Sequence, residues 1–166
     1  LPMFEPTLRR PYRECDQWRP GAIAKLKAEH PRLIVLGMSR EYGKHIDYNS
    51  NFDTYDSTWN TKLTEMVKEL RGTGAEVLVL GPVPNPQGWV PNCLALHLSD
   101  AMACSPARSK AVNQKGITAE TAATRAGGGQ YADITDLFCT QERCPAIVGD
   151  TLVYCYYSHV FVCYTL

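Results

Sequence analysis

Arg32-Leu33-Ile34-Val35-Leu36-Gly37-Met38-Ser39-Arg40 is the stretch that decides the fold. Four aliphatic residues in a row lie between two breakers, Pro31 and Gly37. A short, unbroken apolar run of this kind predicts a strand buried on both faces, as in a parallel sheet covered by helices. Glu76-Val77-Leu78-Val79-Leu80 repeats the pattern and ends in the loop Gly81-Pro82-Val83-Pro84-Asn85-Pro86.

Helical patterns surround these runs. From Trp18 the chain turns helical, with Pro20 in the first turn and Ala22, Ile23 and Leu26 on one face. That helix should stop near His30-Pro31, because a residue before proline is pushed out of the α region. Residues 1–15 read as irregular. Asp56 or Ser57 caps the clearest helix, whose stripe is Leu63, Met66, Val67 and Leu70 and whose end is set by Gly72 and Gly74. Ser105-Pro106 predicts a third start, with serine as cap. This helix runs to Arg125, with an interruption expected at Gly116, and Gly127-Gly128-Gly129 stops it. Tyr131-Ala132-Asp133-Ile134 is a short strand, and Asp136-Leu137-Phe138 begins a helical turn. Thr151-Leu152-Val153-Tyr154 is a last short strand or a hairpin arm.

Helix and strand alternate, which implies crossovers and a parallel, flavodoxin-like sheet in one domain spanning residues 1–166. In such sheets the ligand sits beyond the carboxyl ends of the strands. Three segments are expected there: Met38-Ser39-Arg40, Gly81 to Pro86, and the region around His159. The polar stretch from Met38 through Asp56 is a long loop, which in a compact domain marks function or mobility.

The totals exclude several classes. The 166 residues carry 17 basic and 17 acidic side chains. With no basic run there is no electrostatic footprint for nucleic acid or for an anionic membrane surface. Hydrophobic content of 45% with 20% charged residues is ordinary globular composition. No apolar run is long enough to span a bilayer, and Leu1-Pro2-Met3-Phe4-Glu5-Pro6 is not a signal peptide. The start without methionine suggests a fragment or a processed chain. The cysteines number 7. Cys93 with Cys104, and Cys139 with Cys144, lack the spacing of a zinc knuckle and fit two short-loop disulfides of an oxidising compartment. Cys15, Cys155 and Cys163 remain.

His159 follows a strand-like run and is the candidate general base, a role that needs a nucleophile and an orienting carboxylate. No Gly-x-Ser-x-Gly elbow or Gly-Asp-Ser block occurs. On residues alone, a lone histidine is more often structural. Ser39 and Arg40 sit just past a strand, where a guanidinium can steady an oxyanion or bind a carboxylate. The plainer alternative pairs Arg40 with Glu41 or Asp47. Cys155, His159 and Cys163 recur at four-residue spacing but offer no fourth metal ligand. Gly127-Gly128-Gly129-Gln130 follows a helix instead of opening one, so it reads as a helix stop and not a phosphate loop. No metal or cofactor motif is read.

Several blocks together resemble a known family. They are Tyr12-Arg13-Glu14-Cys15-Asp16-Gln17-Trp18, the strand 32–40 quoted above, Val79-Leu80-Gly81-Pro82-Val83-Pro84, and Asp136-Leu137-Phe138-Cys139-Thr140 with Cys144-Pro145 and the segment from Val153 to His159. In these blocks the chain resembles the extracytoplasmic SGNH domain that actinobacteria, mycobacteria especially, fuse to acyltransferase-3 membrane proteins. The resemblance implies a three-layer α/β/α sandwich with a parallel sheet. It implies an O-acyltransferase or esterase of the cell envelope, on the extracytoplasmic side of the membrane, acting with an acyl donor, a glycan or lipid-linked acceptor and a membrane acyltransferase-3 domain. The family's nucleophilic serine lies in a Gly-Asp-Ser-His-like block on the first strand, which this resemblance places before Leu1. The chain alone is then expected to lack that strand, to leave an open sheet edge and to be inactive. His159 matches the family's catalytic histidine, with Tyr156 where an aspartate is expected. Ser39 or Arg40 stands where the wider superfamily keeps an asparagine oxyanion donor. The alternative implied by these departures is a degenerate scaffold that binds glycan or a partner without turnover.

Overall fold

The aliphatic run Leu33–Leu36 forms a strand at the edge of a parallel sheet in a computed structural model of the chain, which describes residues 4–5, 7–40, 52–155 and 159–160. In chain order the elements are β1 (Phe4–Glu5), β2 (Arg10–Pro11), α1 (Arg13–Glu29), β3 (Leu33–Leu36), α2 (Ser57–Arg71), β4 (Glu76–Leu80), α3 (Val90–Leu96), α4 (Arg108–Ala111), α5 (Gln114–Ala126), β5 (Gln130–Ala132), β6 (Ile147–Val148) and β7 (Thr151–Leu152). They fall into two compact units. The first comprises residues 1–80 and 115–132, the second 81–114 and 133–166.

In the first unit the sheet order is β3-β4-β5, all parallel. Its register pairs Ile34 with Val77, Leu36 with Val79 and Val79 with Tyr131, so these side chains share one face. That face is the core. Val77 and Val79 are buried there with Ile23 of α1, Leu63, Val67 and Leu70 of α2, and Ala123 of α5. The Leu63, Met66, Val67 and Leu70 stripe therefore does what its spacing predicts, with Met66 at the margin of the cluster. The α/β class and the parallel order agree with the sequence reading.

The opposite face differs from expectation. Leu33 and Val35 are 53% and 51% exposed, where burial on both faces was predicted. The physical reason is that the core side chains of α1, α2 and α5 all pack on the Val77 and Val79 face, and that among the described residues β3 has only β4 beside it.

Local corrections follow the same logic. α1 begins at Arg13, five residues before Trp18, and carries Pro20 in its interior instead of its first turn. Its end is as expected: His30 takes a left-handed φ of 49°, and its N–H donates to the Leu26 carbonyl. Asp56 caps α2, its Oδ1 accepting from the Trp59 N–H at 2.7 Å. Ser105 does not cap the start of a helix. Its Oγ accepts from the Ala146 N–H at 3.1 Å, an alternative partner that the sequence does not reveal. The predicted long third helix is two, α4 and α5, broken at Val112 and not at Gly116. Gly116 instead lets α5 approach Tyr55: a Cβ there would lie 2.7 Å from that ring. α3, opened by Trp89 and Pro91, was missed altogether.

The second unit has its own core of Val90, Cys104, Phe138, Ala146, Val153 and Tyr154. Disulfides Cys93–Cys104 and Cys139–Cys144 close it at the expected pairs. Loop closure of this kind stabilises by narrowing the unfolded ensemble. Thr151-Leu152 proves to be a hairpin arm, antiparallel to β6, turning at Gly149 with φ 57°.

The packing yields a test. A Cβ at Gly127 would lie 2.7 Å from Val67 Cβ and 2.9 Å from the Thr64 carbonyl oxygen. Gly127→Ala is expected to cost about 1–3 kcal/mol in urea unfolding, the range for overpacking, whereas Gly88→Ala, which meets nothing within 4 Å, should be silent.

Candidate functional site

Parallel strands deliver their last carbonyls to one end of a sheet, and at that end of β3 and β4 the chain places Arg40. Its Nη1 donates to the Met38 carbonyl at 2.6 Å and its Nη2 to the Leu80 carbonyl at 2.7 Å, joining the two strand ends. Nε and Nη2 also donate to Glu120 of α5, at 3.3 and 3.0 Å. Glu120 is fully buried, and the Arg40 side chain is 9% exposed. The carboxylate accepts further bonds from Trp59 Nε1 at 2.9 Å and Tyr131 Oη at 3.0 Å.

Each oxygen of Glu120 thus has two donors, which is how a carboxylate tolerates removal from water. The ion pair gains from a surrounding of low polarity, and its desolvation is offset by the Trp59 and Tyr131 bonds. Thr54 Oγ1 donates to the Arg40 carbonyl at 2.9 Å, extending the network into the segment before α2. Burial pushes the Tyr131 hydroxyl well above its ordinary range, and the Glu120 charge pushes it further. Tyr55 is pushed up to about 12 by burial and then by Glu120, with Arg40 opposing. Both phenols are neutral at physiological pH, and Tyr131 acts as a donor.

Sequence reasoning found Arg40 but not its partners. Glu41 and Asp47, the neighbours weighed for it, lie outside the described residues. The carboxylate that does pair with it is 80 residues away. A signal was present: Glu120 sits at the helical spacing of Ile117, Ala123 and Thr124, all buried, so a lone acid occupied the apolar face of α5. Trp59 and Tyr131 carried no comparable mark.

Ser39 follows Met38 at the end of β3, beside Arg40, in the first unit. His159 belongs to the second unit and is exposed. Its carbonyl accepts from the Cys155 N–H at 2.9 Å, and an antiparallel bridge joins Tyr154 to Val160. Tyr156 and Cys163 lie outside the described residues.

The domain is thus of the parallel α/β class, with a buried polar network at the carboxyl end of its sheet, the end at which such sheets bind ligands. The chain belongs to the family of SGNH domains fused to AT3 domains, whose model matches residues 1–160. No curated protein sequence matches it. Among solved structures it is similar to the periplasmic domain of a lipopolysaccharide acetyltransferase from Salmonella ser. Paratyphi A, with a TM-score of 0.67 and 15% identity over 92% of this chain. At that identity the likeness is one of fold. The chain spans 58% of the length of that domain. No helix among the described residues is long and apolar enough to cross a membrane.

Two tests address the network. Glu120→Ala leaves the Arg40 guanidinium buried without its counter-charge and is expected to cost about 3–5 kcal/mol, whereas Arg40→Met with Glu120→Leu should recover most of that loss. Equal losses in the single and double variants, measured by urea unfolding, would remove the pair from its central place. The phenols set a pH limit. A tyrosine whose folded pKa is raised contributes stability that is complete below its unfolded value of about 10 and is lost as pH climbs above it. Unfolding free energy should therefore hold level to about pH 9 and fall between about 10 and 12, with a shallower fall in Tyr131→Phe. A level profile through that window would contradict the burial of these hydroxyls.

Proposed function

We propose that the parent protein is an envelope O-acyltransferase or esterase, and that this chain is most of its SGNH domain, held on the extracytoplasmic side of the membrane beside an acyltransferase-3 domain. Membership of the AT3-fused SGNH family is the observation that carries this reading. The likeness of fold to a lipopolysaccharide acetyltransferase domain supports transfer of an acyl group to a glycan or lipid-linked acceptor. Two disulfides fit an oxidising, extracytoplasmic setting.

In this reading His159 is the general base that takes the proton of a nucleophilic serine as it attacks the acyl ester. The tetrahedral intermediate places negative charge on the former carbonyl oxygen, and donors must meet it. Ser39, at the end of β3, contributes to that oxyanion or acceptor site. Arg40 serves as a positioning residue: its bonds to the Met38 and Leu80 carbonyls hold the strand end on which Ser39 is carried. The serine comes from a further strand beside β3. The half-exposed Leu33 and Val35 on an edge with one neighbour among the described residues support such a strand.

The departure at Tyr156 favours the second reading, a scaffold that binds without turnover. One experiment separates them. The full-length protein is treated with a serine-directed fluorophosphonate and examined by mass spectrometry. Acyl transfer predicts an adduct on a serine outside this chain, with labelling lowered at least about a thousandfold in His159→Ala. A folded, full-length protein that takes no adduct would be a binder.

A further inference from the structure

The first unit contains a groove of about 320 Å³ beside the Arg40 network, with Trp59 common to both. Its volume falls in the range of small-molecule sites, roughly 300–1,000 Å³, which are mostly apolar with few polar groups. Phe52, Trp59, Leu63 and Met66 supply the apolar lining. The first three are at most 5% exposed, so the wall is fixed by the core behind it. Trp59 is further held by its bond to Glu120, and its ring stacks obliquely on Phe52 with centroids 6.2 Å apart. Met38 and Met66 add unbranched, polarisable chains that adapt to an irregular guest.

The charged groups of the lining are of one sign. Arg19 of α1 and Lys62 of α2 line the groove, and no acidic side chain does so among the described residues. Each has a carboxylate three residues away on its own helix: Asp16 lies 3.4 Å from Arg19, and Glu65 lies 2.6 Å from Lys62. These are surface pairs, with the two acids 47% and 56% exposed, so they hold their cations weakly. A buried anion of a ligand can compete with them.

We propose that this groove is a binding site for an alkyl carboxylate, its chain against Phe52, Trp59 and Met66 and its anionic head answered by Lys62 and Arg19. Apolar lining alone would select any small hydrophobe; the unlike distribution of charge selects the carboxylate over the alcohol. Ser39, given to the oxyanion or acceptor site in the acyl-transfer reading, also lines the groove, so the site lies beside that chemistry, but its recognition rests on Lys62, Arg19 and the apolar wall and is read by binding alone.

Trp59 reports on occupancy. The chain has three tryptophans, and Trp18 and Trp89 are 70% and 48% exposed. Replacing both (Trp18→Phe with Trp89→Phe) leaves Trp59 as the sole indole fluorophore in the otherwise intact chain. Octanoate, titrated below its micelle concentration, should change the Trp59 emission saturably. Octanol should bind about fivefold or more weakly, the scale of a modest ion pair. Lys62→Glu, at an exposed side chain, should reverse that order; if it fails to fold, Arg19→Gln should narrow the preference in its place. Either of two results overturns the proposal: no saturable response to octanoate, or an unchanged preference for octanoate in the folded charge variant.

Discussion

Glu120 is wholly removed from solvent, and Arg40 nearly so. A buried carboxylate has to be compensated, or it takes up a proton or the structure opens. Here the compensation comes from three elements, and a fourth carries the carboxylate. Arg40 reaches it from the end of β3, Trp59 from α2, Tyr131 from β5, and Glu120 itself is carried by α5. The same guanidinium grips the Met38 and Leu80 carbonyls. The C-terminal edge of the sheet is therefore fixed by electrostatics and hydrogen bonding, while its middle is fixed by aliphatic packing. The C-terminal end of a parallel sheet is where backbone carbonyls run out of partners, so a cation placed there satisfies them.

This changes the meaning of Arg40. A free guanidinium past a strand end would be an oxyanion donor by type. Its donors are instead directed at Glu120 and at the Met38 and Leu80 carbonyls. The groove depends on the same network at one remove, since Trp59 is clamped by Glu120 and forms part of the groove wall. Pocket and polar network are two sides of one indole.

Much of the fold was legible because it rests on local rules. Glu76–Leu80 was read to the residue, since four aliphatic residues in a row ahead of a proline-rich loop have few alternatives. The α2 stripe and its Asp56 cap were equally plain, as were two disulfides from cysteines 11 and 5 residues apart. Failures came where a non-local partner overrode a local preference. Ser105 has the chemistry of a cap, yet its hydroxyl serves Ala146, 41 residues on. Pro20 favours a first turn, yet α1 extends back past it to Arg13. Leu33 and Val35 have the composition of a central strand, yet β3 lies at an edge among the described residues.

The sequence by itself determined the class of the domain and its family. Alternating aliphatic runs and helical stripes allow little besides a parallel α/β sheet, and the blocks around Arg32–Arg40 and Asp136–Thr140 mark the SGNH lineage. Tertiary structure alone decided which charges meet. Arg40 and Glu120 are 80 residues apart, and nothing in the spacing of either names the other. Hydrophobic periodicity is written along the chain because burial is a property of each residue's own face. A buried ion pair is not, because it depends on where two distant elements stop, and only the folded sheet brings those ends together.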